Sequence, residues 1–166
     1  MTAFDESFLS AVAIGAGATV VMDMWLLLLK RLNVPGLNFA LLGRWAGHML
    51  RGRLAHQSIA QAEPVPFELA LGWAMHYLTG VGFALLLQTI AGASWVHTPT
   101  LLPAVAFGLG TVIFPWFVMQ PAMGAGIASS RTKTPVLNCF RNLVNHAVFG
   151  FGLYAAATAA STFARV

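Results

Sequence analysis

Charge is the scarcest feature of this 166-residue chain. Asp, Glu, Lys and Arg together make up 8% of it, while 58% is hydrophobic. A water-soluble domain carries about 25% charged residues because its surface faces water, so a shortage this deep excludes an ordinary soluble fold. Cysteine is nearly absent too. The lone Cys139 excludes an internal disulfide and any multi-cysteine metal centre. Strict polar/apolar alternation, the mark of a membrane β-barrel, is missing from runs such as "MWLLLLK" (24–30) and "FALLLQTI" (83–90). There is no GxSxG, no Walker motif and no nucleotide-binding glycine fingerprint. Hydrolase and nucleotide chemistry therefore have no footing.

What remains is long apolar runs, with a mean hydropathy of +0.74. A helix needs roughly 20 apolar residues to cross a bilayer. Four stretches satisfy that: about 8–29, 67–90, 100–120 and 138–162. The fold class is all-α: a polytopic membrane protein, a four-helix transmembrane bundle forming one integral membrane domain over 1–166. The leader "MTAFDES" is acidic and no small-residue cleavage site follows the first run, so that run is expected to be a retained helix rather than a signal peptide.

The net charge of +4 is better explained by membrane orientation than by nucleic acid, which is not expected as a partner. Lys and Arg stay on the cytoplasmic side of the bilayer. Lys30, Arg31, Arg44, Arg51 and Arg53 follow the first span, and Arg131, Lys133 and Arg141 lie between the third and fourth or just inside the fourth. Of the nine cations only Arg165 lies on the other side, and "AGASWVHTP" (91–99) carries none. The expected location is a bacterial cytoplasmic (inner) membrane, with both termini outside.

The first charged loop has structure of its own. In residues 38–53, Phe39, Leu42, Trp45 and Met49 recur at helical spacing, with Arg44, His48 and Arg51 on another face. Such a helix lies naturally in the headgroup plane, so anionic lipid headgroups are expected partners of Arg44, Arg51 and Arg53. A lid closing over a site is the alternative. An internal echo is also present. "AIGAGATVVMDMW" (13–25) and "AFGLGTVIFPW" (106–116) share Ala-x-Gly-x-Gly, a following Thr-Val and a Trp, and His76…Gly80 matches His146…Gly150. Two parallel hairpin repeats would produce this pattern.

The polar residues inside the spans concentrate at one depth. At about 1.5 Å per residue, Asp23 lies roughly 9 Å, His146 roughly 12 Å and His76 roughly 14 Å from the cytoplasmic ends of their helices. Glu68, Gly72, His76 and Gly80 form one i, i+4 row, and Asn138, Asn142, His146 and Gly150 another, with Asn145 beside it. Ionisable groups in hydrocarbon cost roughly 2.5–3.5 kcal/mol each and turn to the bundle interior. The expected site is a pocket of Asp23, His76, Asn142, Asn145 and His146, open to the cytoplasmic side. Arg141 or a histidine is the expected partner of Asp23.

Three chemistries compete for that pocket. His76 and His146 could hold a b-type haem axially, and Asp23, His76 and His146 resemble a two-histidine, one-carboxylate metal set. His48 and His56 would add ligands if their loop folds upward. No HxxxH or ExxH spacing supports either site. Asp–His chains also carry protons in pumps, which would suit a small proton-coupled transporter acting as a homo-oligomer, with Pro115 as a kink. The third reading is a structural subunit of a larger membrane complex.

The segments "LNFALLGRWAGHMLRGRLAHQSIA" (37–60), "ELALGWAMHYLTG" (68–80), "PTLLPAVAFGLGTV" (99–112) and "MQPAMGAGIASSRT" (119–132) together resemble a bacterial family of small inner-membrane proteins, domain of unknown function 2938. The resemblance runs from the first span through the fourth. It implies about four spans and supplies no functional residues.

Overall fold

The computed structural model describes residues 3–92 and 94–163; Arg165, the cation expected on the outer side, lies outside them. Helix makes up 77% of the structure, with no strand among the described residues. Four stretches are long and apolar enough to cross a membrane: Glu6–Arg31, Glu68–Ala91, Leu101–Met123 and Pro135–Thr162. Each agrees with the span expected from hydropathy to within a few residues. The protein is a multi-pass membrane protein. Only 17–28% of each apolar window is buried by the chain itself, and large side chains such as Leu78 and Leu102 stand more than 70% exposed. Those faces need lipid as their solvent.

The helices are α1 (Ala3–Arg31), α2 (Phe39–Met49), α3 (Glu68–Ala91), the short α4 (Ser94–His97), α5 (Leu101–Gly110), α6 (Gln120–Met123) and α7 (Pro135–Phe163). The third span is not one continuous α-helix. After α5 the chain turns at Thr111–Val112 and winds as a π-helix over Pro115–Met119 before α6. Pro115 has no N–H to give to the preceding turn, and proline commonly breaks a helix there. Gly124, at φ +95°, then closes α6 in the left-handed conformation that a residue without Cβ adopts most cheaply. "PAMGAGIASS" (121–130) thus begins as a helix end.

Contacts gather into two compact units, whose boundaries fall inside α3 and α7. The first comprises the chain up to Val34, Tyr77–Thr111 and the chain from Asn145. Its core is Ala11, Ile14 and Ala18 of α1, Ala84 and Leu87 of α3, Trp95 of α4, Ala104 of α5, and Phe149, Leu153 and Ala157 of α7. The residues from α1 and α7 recur every three or four positions, one helical stripe each.

Glycines set the helix spacing in this unit, and they do so twice in the same way. A Cβ on Gly15 would lie 2.5 Å from Val81 Cα and 2.7 Å from the Gly80 carbonyl oxygen; one on Gly108 would lie 2.6 Å from both Gly150 Cα and the His146 carbonyl oxygen. Thr19 donates its hydroxyl to the Gly15 carbonyl at 2.8 Å, and Thr111 donates to the Gly108 carbonyl at 2.6 Å. The corresponding glycines and threonines of the two sequence echoes therefore make corresponding contacts in the α1/α3 and α5/α7 hairpins. The repeat has a geometric counterpart.

The second unit comprises Pro35–His76 and Val112–Val144. Its core is Leu42, Trp45 and Ile59, with Phe39, Met49, Met75, Met119 and Met123 packed around them. Asn38 caps α2 by accepting from the Ala40 and Leu41 amides, an N-cap arrangement its residue type favours. In helix α2, Gly43 leaves no room for a Cβ against the Glu68 carbonyl, and Gly72 of α3 leaves none against that of Phe39. Helix α2 packs backbone to backbone on the start of α3.

Candidate functional site

Three polar contacts tie the helices of the first unit together, and each joins two different spans. Tyr77 on α3 donates its hydroxyl to Asp23 Oδ2 on α1 at 2.8 Å. Trp25 on α1 donates its indole N–H to Asn145 Oδ1 on α7 at 2.9 Å. His146 Nδ1 on α7 lies 2.8 Å from Thr111 Oγ1 at the end of α5. All six side chains are partly buried or buried. A polar group in an apolar setting is costly unless it is bonded, and each of these has a partner on a neighbouring helix.

The Thr111 contact fixes a proton. A threonine hydroxyl has one hydrogen, and Thr111 directs it to the Gly108 carbonyl, which can only accept. The hydroxyl oxygen must then accept from His146, so Nδ1 carries the imidazole proton and Nε2 of the neutral ring presents its lone pair. Threonine sets the tautomer of an intramembrane histidine.

The residues expected to form one pocket divide between the units. Asp23, Asn145 and His146 belong to the first; His76 and Asn142 belong to the second. Tyr77 is one partner of Asp23. In the second unit the His76 ring stands edge-on to Phe39, centroids 5.0 Å apart, and 6.0 Å from Trp73, while Phe39 and Trp73 stack at 4.1 Å. Asn142 Nδ2 is buried without a hydrogen-bond partner, as are Trp116 Nε1 and Gln120 Oε1. No group of three His, Cys, Asp or Glu side chains that could hold a metal ion occurs among the described residues.

The basic loop is built around Arg44. Its guanidinium grips Glu68 through two bonds, Nε to Oε2 at 2.9 Å and Nη2 to Oε1 at 3.1 Å, and Nη1 donates to the Ala62 carbonyl at 3.0 Å and the Ala60 carbonyl at 3.2 Å. The hydrogen-bonded Glu68 carboxylate raises the Arg44 pKa above its ordinary value. With its side chain 12% exposed, Arg44 is occupied internally. Arg51 and Arg53, both exposed, are left as the cations of the headgroup expectation.

His48 and His56 belong to the second unit. They pair within the second unit, ring centroids 4.8 Å apart. His48 Nε2 lies 2.9 Å from the Glu63 carbonyl, so that nitrogen carries a proton. His56 is buried with neither ring nitrogen bonded. Burial, then the Arg53 charge, then His48, push its pKa below the ordinary histidine value.

Tyr77, Trp25 and Thr111 were not singled out from the sequence as site residues. Thr111 had a usable signal, its place in the repeated glycine–threonine motif; Tyr77 and Trp25 had only their adjacency to polar positions. The chain matches the family described as "Protein of unknown function (DUF2938)" over residues 12–160. It belongs to that family. No curated protein and no solved structure matches it.

Proposed function

We propose that this protein is a small proton-coupled transporter of the bacterial inner membrane, with both termini outside, in which Asp23 and His146 take up and release protons. The observation that carries the reading is the contact of His146 Nδ1 with Thr111 Oγ1. A histidine inside a membrane-crossing helix is held with its Nδ1 proton on Thr111, which turns an unprotonated Nε2 into the one ring position able to accept a proton. Asp23, in the same compact unit, has a hydroxyl donor in Tyr77, so its anionic form has a bond that compensates part of its desolvation. Ionisable groups held this way within membrane spans mark ion and proton pathways by default. The π-helix at Pro115–Met119 supplies the kind of helix irregularity found at functional sites.

The test is proton flux. The full chain, reconstituted into vesicles carrying an internal pH dye, should move protons under an imposed potential. Asp23→Asn and His146→Gln should each reduce that flux by roughly 100-fold, the scale of losing a proton-transfer group. An absorption spectrum and elemental analysis of the same preparation distinguish the rivals. A Soret band or a stoichiometric transition metal would replace the proton reading with a haem or metal one. Absence of flux in the wild-type chain, with co-purification at fixed stoichiometry, would make it a subunit of a larger complex.

A further inference from the structure

Residues 54–63 run through the second unit as a strap whose carbonyls are held by side chains of α2. Trp45 donates its indole N–H to the Leu54 carbonyl at 2.8 Å. Arg44 donates to the carbonyls of Ala60 at 3.2 Å and Ala62 at 3.0 Å, and His48 Nε2 lies 2.9 Å from that of Glu63. The strap is also fastened to the end of the third span. The His56 amide donates to the Ala122 carbonyl of α6 at 2.8 Å, and Gly124 packs so tightly on the Gln57 backbone that a Cβ has no room. Most of the strap's side chains face outward, and only His56 and Ile59 are buried. One apolar residue and one histidine anchor it.

The histidine is an anchor that works only while neutral. Its ring nitrogens are buried and neither is hydrogen-bonded, so the ring serves as an aromatic body packed edge-on against His48, centroids 4.8 Å apart. An imidazolium in the same place would bury a charge and two N–H donors without bonds, which is costly. The charged and titratable groups acting on it are Arg53, just before the strap, and His48 of α2; no carboxylate is among them, and α6 contributes the Ala122 carbonyl, which already takes the His56 amide. Burial and the two neighbours push the His56 pKa below its ordinary value. A histidine depressed in the closed strap binds its proton more tightly once released. Closure is therefore strongest above the ordinary histidine pKa of about 6.5, and it weakens as the pH falls below that, by at most about tenfold per pH unit for one proton.

We propose that residues 54–63 form an acid-released strap, closed on α2 and α6 while His56 is neutral and released when that ring takes up a proton and turns to water. Release gives up the bond from the His56 amide to Ala122 and uncovers the turn at Gly124. It thereby loosens the last turn of the third span, which directly follows the π-helix over Pro115–Met119. The device lies wholly within the second unit, and it operates whether or not protons cross the first.

Amide hydrogen exchange reads the strap directly, in the unaltered full-length protein in neutral detergent and without a flux assay. Local opening sets the exchange rate of a protected amide, and dividing by the rate of an unstructured chain at the same pH removes the intrinsic pH dependence. Protection of peptides covering 54–63 should fall several-fold between about pH 7.5 and pH 5.5, with about tenfold as the ceiling for one proton. Protection over 81–91, in the α3 part of the first unit, should not change. His56→Phe keeps a planar ring and cannot take up a proton, so it should hold the strap's protection constant across the same range. His56→Leu makes the same prediction should the larger ring prevent folding. Constant protection of the strap in the wild-type chain would overturn the proposal. A fall that persists in either folded His56 variant would assign the effect to another group and overturn it too. An equal fall over 81–91 would mean acid unfolding of the whole chain rather than release of a strap.

Discussion

His146 gains its chemical character from Thr111, and that dependence can be tested with one atom. Thr111→Val removes the oxygen that accepts from Nδ1, keeps the shape and leaves the Gly108 carbonyl without its hydroxyl donor. The loss of those bonds should lower stability by about 1–3 kcal/mol. It should also shift the pH profile of proton flux, because His146 loses the Thr111 contact at Nδ1. Thr111→Ser retains the oxygen and should restore the profile. A purely structural role for Thr111 would lower the melting temperature in Thr111→Val without moving the profile of the folded fraction. Asp23, Asn145 and His146 were legible in the sequence because an ionisable or amide side chain in an apolar run has few places to go. Their partners were not. Which side chain faces which across two helices depends on rotation and register, and apolar spans such as α3, flanked by lipid on much of their surface, carry little hydrophobic asymmetry from which to read either. His76 and Asn142 share the spacing of the other site residues but fall in the second unit, a division that spacing along single helices does not encode.

Among whole elements, hydropathy located all four spans, because crossing a bilayer imposes a length that a linear sequence displays directly. The repeated glycine motif was equally visible, and its use is close approach: Gly15 and Gly108 each bring a neighbouring backbone within the space a methyl group would occupy. Gly108→Ala should therefore push α5 from α7 and cost about 1–3 kcal/mol, the usual scale of overpacking. Gly110→Ala, where a Cβ would meet nothing within 4 Å, should be neutral or slightly stabilising. Thermal melting of the two variants in detergent measures the difference, and equal melting temperatures would mean that the hairpin tolerates wider spacing. Helix α2 was readable as amphipathic but its placement was not. The apolar stripe of Phe39, Leu42, Trp45 and Met49 showed a face to be covered, whereas the close packing on α3 depends on the glycines at 43 and 72, which that pattern does not single out. Arg44 anchors Glu68, a pairing across 24 residues that helical spacing does not display.

At the scale of the whole molecule, the distribution of cations turns four spans into a directional prediction. The two segments rich in Lys and Arg, 32–67 and 124–134, follow the first and third spans, so an even number of crossings puts them on the same side. The positive-inside rule predicts that this side is the cytoplasm, with the cation-free connection around Ser94–His97 facing outward. Cys139 is the single thiol, so a Cys139→Ser background permits clean labelling. Gly36→Cys sits where a side chain meets nothing within 4 Å, and Thr98→Cys occupies an exposed position in the opposite connection. A membrane-impermeant maleimide should label Thr98→Cys in intact spheroplasts and Gly36→Cys only in inverted vesicles. Labelling of Gly36→Cys from outside would invert the protein and overturn the orientation predicted from the cations. Labelling of both positions from one side would be incompatible with four spans, since 36 and 98 are separated by α3 alone among the candidate crossings.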